Sequence, residues 1–311
     1  MTDEATAFVP GHVTGFFSAH PDDDPAVAGS RGAGVTLAHG VRVTVRRSDG
    51  RRRRAGRGGG RTGRGRRADR GVDRAASGRA EVILNGDPAA FDPVEGVLDS
   101  LDVDGARTTV TAETPLPVGA GFGVSGAVAL GVAYGANAAF GRGYSENELV
   151  TAAHRAEVEA GTGLGDVVAQ ARGGLPIRLE PGAPGYGALD GVPERPRVEY
   201  VAFGELSTAD VLSGDTTALT AAGEAALSDL RREPTAARMV ALSRRFAREA
   251  GLLTDRVESA IDDVRDAGGD ASMAMLGETV FALGTGLSDA GYDPAACDVH
   301  PAGAGLVVDG H

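Results

Sequence analysis

Residues Pro115 to Gly131, PLPVGAGFGVSGAVALG, constrain this chain more than any other stretch. Gly119, Gly121 and Gly123 carry no β-carbon, so the backbone can enter positive φ and turn peptide N–H groups toward a ligand. From Ser125 the pattern becomes a run of small apolar residues ending near Phe140, which predicts a buried helix whose N-terminus faces the loop. A glycine-dense turn feeding a helix N-terminus is a backbone cradle for an anion, and phosphate is the guest it suits. The chain has no lysine and hence no Gly-Lys-Ser/Thr loop, and no G-x-G-x-x-G opens a helix after a clean strand. The structural alternative is a glycine-rich turn before a core helix.

The loop resembles P-x-x-x-G-L-G-S-S-A-A, the central phosphate loop of the GHMP kinases. Pro117, Gly121, Gly123, Ser125 and Ala127 fall on that pattern, while Phe122, Val124 and Gly126 depart from it. Phe8 to Phe17, VPGHVTGFF after the first residue, resembles the family's opening strand and turn, and AGSRGAGVTL from Ala28 is a second turn delivering a strand. With AHRAEVEAGTGLGD and GGLPIRLEPG, these segments resemble the pantoate kinase branch found in archaea, in order and across most of the chain. The resemblance implies an α/β, α+β two-layer fold of the GHMP kinase-like two-domain kind, with residues 1–195 forming the nucleotide and phosphate-loop domain and 196–311 the C-terminal domain. It implies an ATP-dependent enzyme that uses Mg2+ and phosphorylates the 4-hydroxyl of pantoate on the route to coenzyme A. Homoserine, shikimate or mevalonate are the alternative acceptors on the same fold.

Site residues follow from the same resemblance. Asp166, after GTGLG, matches the aspartate that accepts or orients the hydroxyl proton; taken alone it reads as a helix N-cap. Glu157 matches a magnesium-binding glutamate paired with the serine at Ser125, with Glu159 as the competing assignment and a solvated helix face as the plain one. His12 stands where many members carry a lysine that steadies the γ-phosphate, and a turn histidine is its structural reading. Arg178 matches a pantoate-recognising arginine, with Ser30 and His154 as neighbours; Arg31 and Arg155 are its local rivals. His20 and His39 have no metal-ligand spacing and read as structural. The C-terminal element around Ala274 to Leu283 resembles the family's third motif weakly, because Met275 replaces a glycine.

Composition sets the surroundings. The 311 residues suffice for two modest domains. The lone Cys297 excludes an internal disulfide and a cysteine zinc site and favours a reducing cytoplasm. Gly126 to Phe140 is too short and too glycine-rich to span a bilayer. A net charge of −12, with every basic residue an arginine, predicts a salt-adapted acidic surface and argues against nucleic acid or acidic membranes as partners. A homodimer is left open.

Charge is unevenly spread. Residues 46–79 hold 14 arginines and 3 acids, against 17 arginines and 40 acids elsewhere. This Arg/Gly tract lacks hydrophobic periodicity and cannot bury enough surface to order itself. It interrupts an expected β-hairpin between Val41–Val45 and Ala80–Leu84. A disordered arm gripping RNA, a solvated loop and an out-of-frame translation of a GC-rich gene are the three readings, and the last explains the compositional break best. The non-catalytic alternative for the whole chain, an RNA- or partner-binding protein, draws on this tract.

Downstream, the sequence predicts helices over Asp92–Leu101, Ser145–Glu159 (with a Ser145/Glu148 capping box), Val167–Ala171, Glu233–Ala250 and Leu252–Ala267. Strands are expected at Ala106–Glu113, 198–204 and Glu278–Leu283, with a closing edge strand after HPAGAG.

Overall fold

β-Branched and aromatic residues crowd the N-terminal segments, and in the computed structural model they form two long antiparallel strands, β1 (Glu4–His20) and β2 (Gly29–Arg47). The structure describes residues 3–48, 78–205, 216–275 and 277–307. Residues 49–77, most of the Arg/Gly tract, lie outside the described residues. The β1–β2 register runs from Glu4↔Arg46 to His20↔Gly29, with shifts at Pro10/Gly11 and Thr14/Phe16. These irregularities bracket His12 and Thr14, and bulges of this kind re-aim side chains next to sites.

The expected hairpin across the Arg/Gly tract does not form. β3 (Glu81–Leu84) pairs in parallel with β5 (Thr108–Glu113), and β5 lies between it and β2. The connection explains this placement. After β3 and the two-residue β4 (Asp87–Pro88), the chain crosses over through helix α1 (Asp92–Ser100), which buries Val94, Val97 and Leu98. A helical crossover returns the chain as a parallel neighbour, and Thr-Thr-Val-Thr-Ala-Glu then supplies the β-branched strand that fits beside β2.

The first sheet has the order β12-β1-β2-β5-β3-β4, with β6 (Leu175–Glu180) also pairing β2 at Gly32↔Arg178 and β7 (Ala188–Val192) pairing β6. Here β12 (Gly305–Leu306) is the expected closing edge strand, set against Ala7 and Phe8. Helix α2 (Val124–Phe140) lies on this sheet. A β-carbon on Gly131 would sit 2.5 Å from Val43 Cγ2 and one on Gly135 2.7 Å from Val45 Cγ2. The small residues of α2 therefore permit close helix-on-strand packing. Helices α3 (Glu146–Glu159) and α4 (Asp166–Arg172) follow it. At the start of α3, Glu148 accepts the Ser145 backbone N–H at 2.8 Å and its hydroxyl at 2.7 Å.

The second sheet is antiparallel, order β11-β8-β10-β9, built from β8 (Arg197–Glu205), β9 (Ala271–Ala274), β10 (Gly277–Leu283) and β11 (Ala295–Asp298). Helices α5 (Thr217–Leu230), α6 (Ala236–Glu249) and α7 (Asp255–Asp266) accompany it, with the short α8 (Gly286–Asp289). Thr235 and Thr254 cap α6 and α7 by accepting from Arg238 N and Val257 N. Those caps start both helices a few residues later than the sequence periodicity suggested. Buried apolar side chains from both sheets and from their helices form one continuous core.

Candidate active site

The loop between β5 and α2 has its carbonyls tied down one after another. Ala120 O accepts the Thr279 hydroxyl at 2.9 Å, Phe122 O accepts His12 N at 3.0 Å, and Gly123 O accepts Gln170 Nε2 at 2.9 Å. In a trans peptide the N–H points opposite the carbonyl, so fixing these oxygens turns the N–H groups of Gly121, Gly123 and Val124 away from the protein body. Gly121 and Gly123 make this possible at φ 86° and 62°. Space forbids a side chain as firmly, because a β-carbon on Gly121 would lie 2.8 Å from Met275 O. Pro117, Val118 and Gly119 are exposed, whereas Ser125, in the first turn of α2, is half-buried. N–H groups turned outward at the head of a helix are the backbone geometry that suits an anion.

Ser125 Oγ donates to Glu157 Oε1 at 2.6 Å, so α2 and α3 meet at the loop through these residues. Glu157 is 2 % exposed. Burial pushes its carboxyl up to about 7, against the Ser125 hydrogen bond that lowers it and with the Asp166 charge adding to the rise. A β-carbon on Gly163 would lie 2.6 Å from Glu157 Oε2 and 3.7 Å from Asp166 Oδ2, so both carboxylates face the GTGLG turn.

Asp166 opens α4. Its Oδ1 lies 2.6 Å from Nδ1 of the fully buried His12. The imidazole pKa is lowered, chiefly by burial and against the pull of Asp166. His12 is thus a neutral ring donating Nδ1–H, the tautomer that the carboxylate selects. For Asp166, burial works upward, but the hydrogen bond from His12, then the Arg178 charge and the Thr14 hydroxyl, hold the carboxyl below its ordinary value. The structure therefore places His12 against the aspartate, with its ring packed over Gly34, whose added β-carbon would meet Nε2 at 2.4 Å.

Beside Asp166 is a small depression whose walls include Thr14, Phe17, Ser30, Leu164 and Arg178. Arg178 reaches it from β6 and is 2 % exposed. Its Nε and Nη1 have no hydrogen-bond partner. A buried guanidinium with unused donors is costly unless an anion completes it. Ser30 donates to Leu164 O at 3.3 Å, and His154 sits behind with Nε2 2.8 Å from Ala28 O. The roomier hollow between α3, α4 and the β6–β7 turn carries no such cluster.

Comparison with known proteins supplies the family. The family described as "GHMP kinases N terminal domain" matches residues 93–174, which hold the loop, Ser125, Glu157 and Asp166. A pantoate kinase from Thermococcus kodakarensis is 35% identical over 89% of this chain and 86% of its own length. Another, from Methanocaldococcus jannaschii, is 29% identical over 89% of this chain and 91% of its own. A solved structure described as "Phosphotransferase related to CoA biosynthesis pathway" superposes with a TM-score of 0.78 at 30% identity, covering 98% of both chains. The chain belongs to the pantoate kinase family, and its fold is that of the GHMP kinases. A homoserine kinase from Cytophaga hutchinsonii shares that fold at a TM-score of 0.64 and 18% identity, covering 99% of this chain and 98% of its own.

Within this kinase fold, the residues singled out by resemblance converge on one place: Ser125 with Glu157, Asp166 with His12, and Arg178 with Ser30. The rivals are engaged elsewhere. Arg31 donates to Leu179 O at 2.7 Å and pairs with Glu224 at 2.9 Å, and Arg155 pairs with Asp24 at 2.9 Å. Glu159, 3.8 Å from Arg155, lies on the outer face of α3. His20 contacts Glu224 at 3.1 Å and His39 the Tyr200 hydroxyl at 2.8 Å. Sequence reasoning passed over Thr14, Gln170 and Thr279. Thr14 was within reach of it, since it follows His12 by two residues and shares its strand face.

Proposed function

We propose that this kinase transfers the γ-phosphoryl group of ATP to the 4-hydroxyl of pantoate, giving 4-phosphopantoate and ADP. The observation that carries the reading is Arg178: a buried guanidinium with two unused donor atoms in the same depression as the Asp166 carboxylate. An acceptor with a carboxylate at one end and a primary hydroxyl at the other suits that pair of charges. Arg178 would take the carboxylate, with Ser30 and His154 shaping the pocket around it. Phe17 and Leu164 offer apolar contact to the carbon chain between.

Asp166 orients the hydroxyl and accepts its proton as the oxygen attacks, so that the O–P bond forms while the bond from the γ-phosphorus to the bridging oxygen of ADP breaks. A depressed carboxyl is a weak base, and positioning is its larger contribution. Neutral His12 fixes the carboxylate through Nδ1–H without adding a proton to the exchange. The loop from Pro117 to Ser125 holds the phosphates through Gly119, Gly121 and Gly123.

Ser125 and Glu157 fit magnesium. They present a hydroxyl and a carboxylate 2.6 Å apart at the head of α2, and hard oxygen donors with room for phosphate and water are what Mg2+ takes. Bound there, the ion would neutralise charge on the triphosphate.

Residues 1–195 and 196–311 are read as the two functional halves, the second supplying Thr279 to the loop. No helix among the described residues is long and apolar enough to cross a membrane. A cytoplasmic enzyme with a salt-adapted surface is the reading that the lone cysteine and the −12 charge support.

The test is ADP release with Mg-ATP at high salt against pantoate, homoserine, shikimate and mevalonate. Release that depends on pantoate alone is expected. Release with another acceptor would move the chain to a different substrate on the same chemistry.

A further inference from the structure

We propose that Gln170 is a positioning residue that sets the phosphate loop against Asp166. The proposal rests on the reading of that loop as the phosphate-binding element.

Gln170 stands one helical turn after Asp166 on α4, so the two side chains share a face. That face packs on the start of α2. A β-carbon on Gly123 would lie 3.1 Å from Gln170 Nε2 and 3.2 Å from Asp166 Cγ, and one on Gly126 would lie 3.2 Å from Gln170 Oε1. Glycine at both positions lets the carboxamide and the carboxylate reach the same stretch of backbone.

The hydrogen bonds exceed what folding requires. Gly123 O already accepts the first helical bond of α2, from Ala127 N at 3.0 Å, and still receives Gln170 Nε2 at 2.9 Å. Because the acceptor is a carbonyl, the amide must present its nitrogen there. Its Oε1 is then buried without a partner. An unsatisfied buried acceptor is destabilising, and an apolar side chain of the same length would avoid it. What the amide achieves is to pin the peptide between Gly123 and Val124, whose N–H is among the first unpaired donors of α2. Thus the helix that carries the Asp166 carboxylate also fixes the donors that face the phosphate. The far end of α4 is braced in turn, since Gln170 O accepts Ala304 N at 3.0 Å.

Gln170→Met and Gln170→Glu in the full chain test this, with calorimetric ATP affinity measured without pantoate, and kcat and both KM values measured with it. Gln170→Met should weaken ATP about fivefold, the worth of one neutral hydrogen bond, and lower kcat, leaving the pantoate KM and the melting temperature near wild type. Gln170→Glu should lose more at pH 8, where carboxylate opposes carbonyl. Its activity relative to wild type should rise toward pH 5.5, where a protonated Glu can donate to Gly123 O. Wild-type ATP affinity and kcat in Gln170→Met, a fall in stability alone, or a pH-independent ratio in Gln170→Glu would overturn the proposal. If Gln170→Met does not fold, the pH ratio of Gln170→Glu decides. A wild-type chain that binds ATP yet ignores pantoate would remove the substrate reading while the ATP affinities still decide Gln170; a wild-type chain that binds no ATP would remove both.

Discussion

Asp166 and His12 share a 2.6 Å hydrogen bond that joins the first residue of α4 to the irregular stretch of β1. The carboxylate is held from the protein side by a ring with no solvent exposure, so its free oxygen is directed into the depression. Asp166→Asn keeps the size and loses the charge. We expect kcat to fall about a hundred- to ten-thousandfold, the range for losing a positioned general base, with ATP affinity near wild type. Unchanged turnover would remove Asp166 from the reaction.

Acid should loosen the same contact in steps. The His12 pKa is lowered by burial from 6.5, so below pH 6.5 the unfolded chain takes up a proton that the folded chain refuses. Stability falls as pH drops through that window. The Asp166 carboxyl, depressed by its partners below 3.8, adds a contribution that is present above 3.8 and is lost as pH falls through the folded value. Over part of this window Glu157 works in the opposite direction, so the readout is a difference: the wild-type melting temperature minus that of His12→Gln should shrink as pH falls from about 6.5 toward 4. His154, also buried with a lowered pKa, contributes to both proteins and drops out of the difference. A difference that stays constant with pH would place the titration elsewhere.

Glu157 predicts the opposite sign. Its folded carboxyl is raised to about 7 from 4.5, so between those values the folded state holds the extra proton and stability falls as pH rises. In metal-free buffer at pH 8, Glu157→Gln should therefore melt higher than wild type. The same variant should lose most of its activity and raise the Mg2+ concentration needed for what remains. A variant that melts lower at pH 8 would show that the carboxylate is already well compensated without metal.

Legibility differed with the range of the signal. The loop, Ser125 and the helices were readable because glycine spacing, caps and small-residue runs are local patterns, and α1, α3 and α4 begin within a residue of where those patterns put them. The Val41–Leu84 hairpin was misread because strand order is decided by a partner outside both segments. Only the crossover through α1 shows that β5 comes between β2 and β3. Helix α5 escaped because TALTAAGEAALSDL buries mainly alanine, glycine and leucine and carries little periodic contrast. Gln170 escaped for a related reason. A glutamine inside a helix reads as a surface residue, and its burial follows from Gly123 and Gly126 lying opposite, a pairing made only in three dimensions.

The close packing at Gly165 yields the sharpest prediction about substrate. A β-carbon there would lie 2.5 Å from Ser30 Oγ and 2.7 Å from Arg178 Nε. No real β-carbon approaches so closely, so Gly165→Ala must displace the guanidinium or the serine. The Asp166 carboxylate begins at the next residue, yet the glycine loop before α2 lies on its other side, against Gly123. Gly165→Ala should therefore raise the pantoate KM at least about tenfold, the order expected for losing a hydrogen bond to a charged group, while ATP affinity changes little. Arg178→Met should do the same through loss of charge instead of displacement. Since both variants act on one contact, their effects should fall well short of additive when combined. Steady-state kinetics of the two single variants and the double variant measure this, and full additivity would mean that Gly165 acts on catalysis by a route other than Arg178.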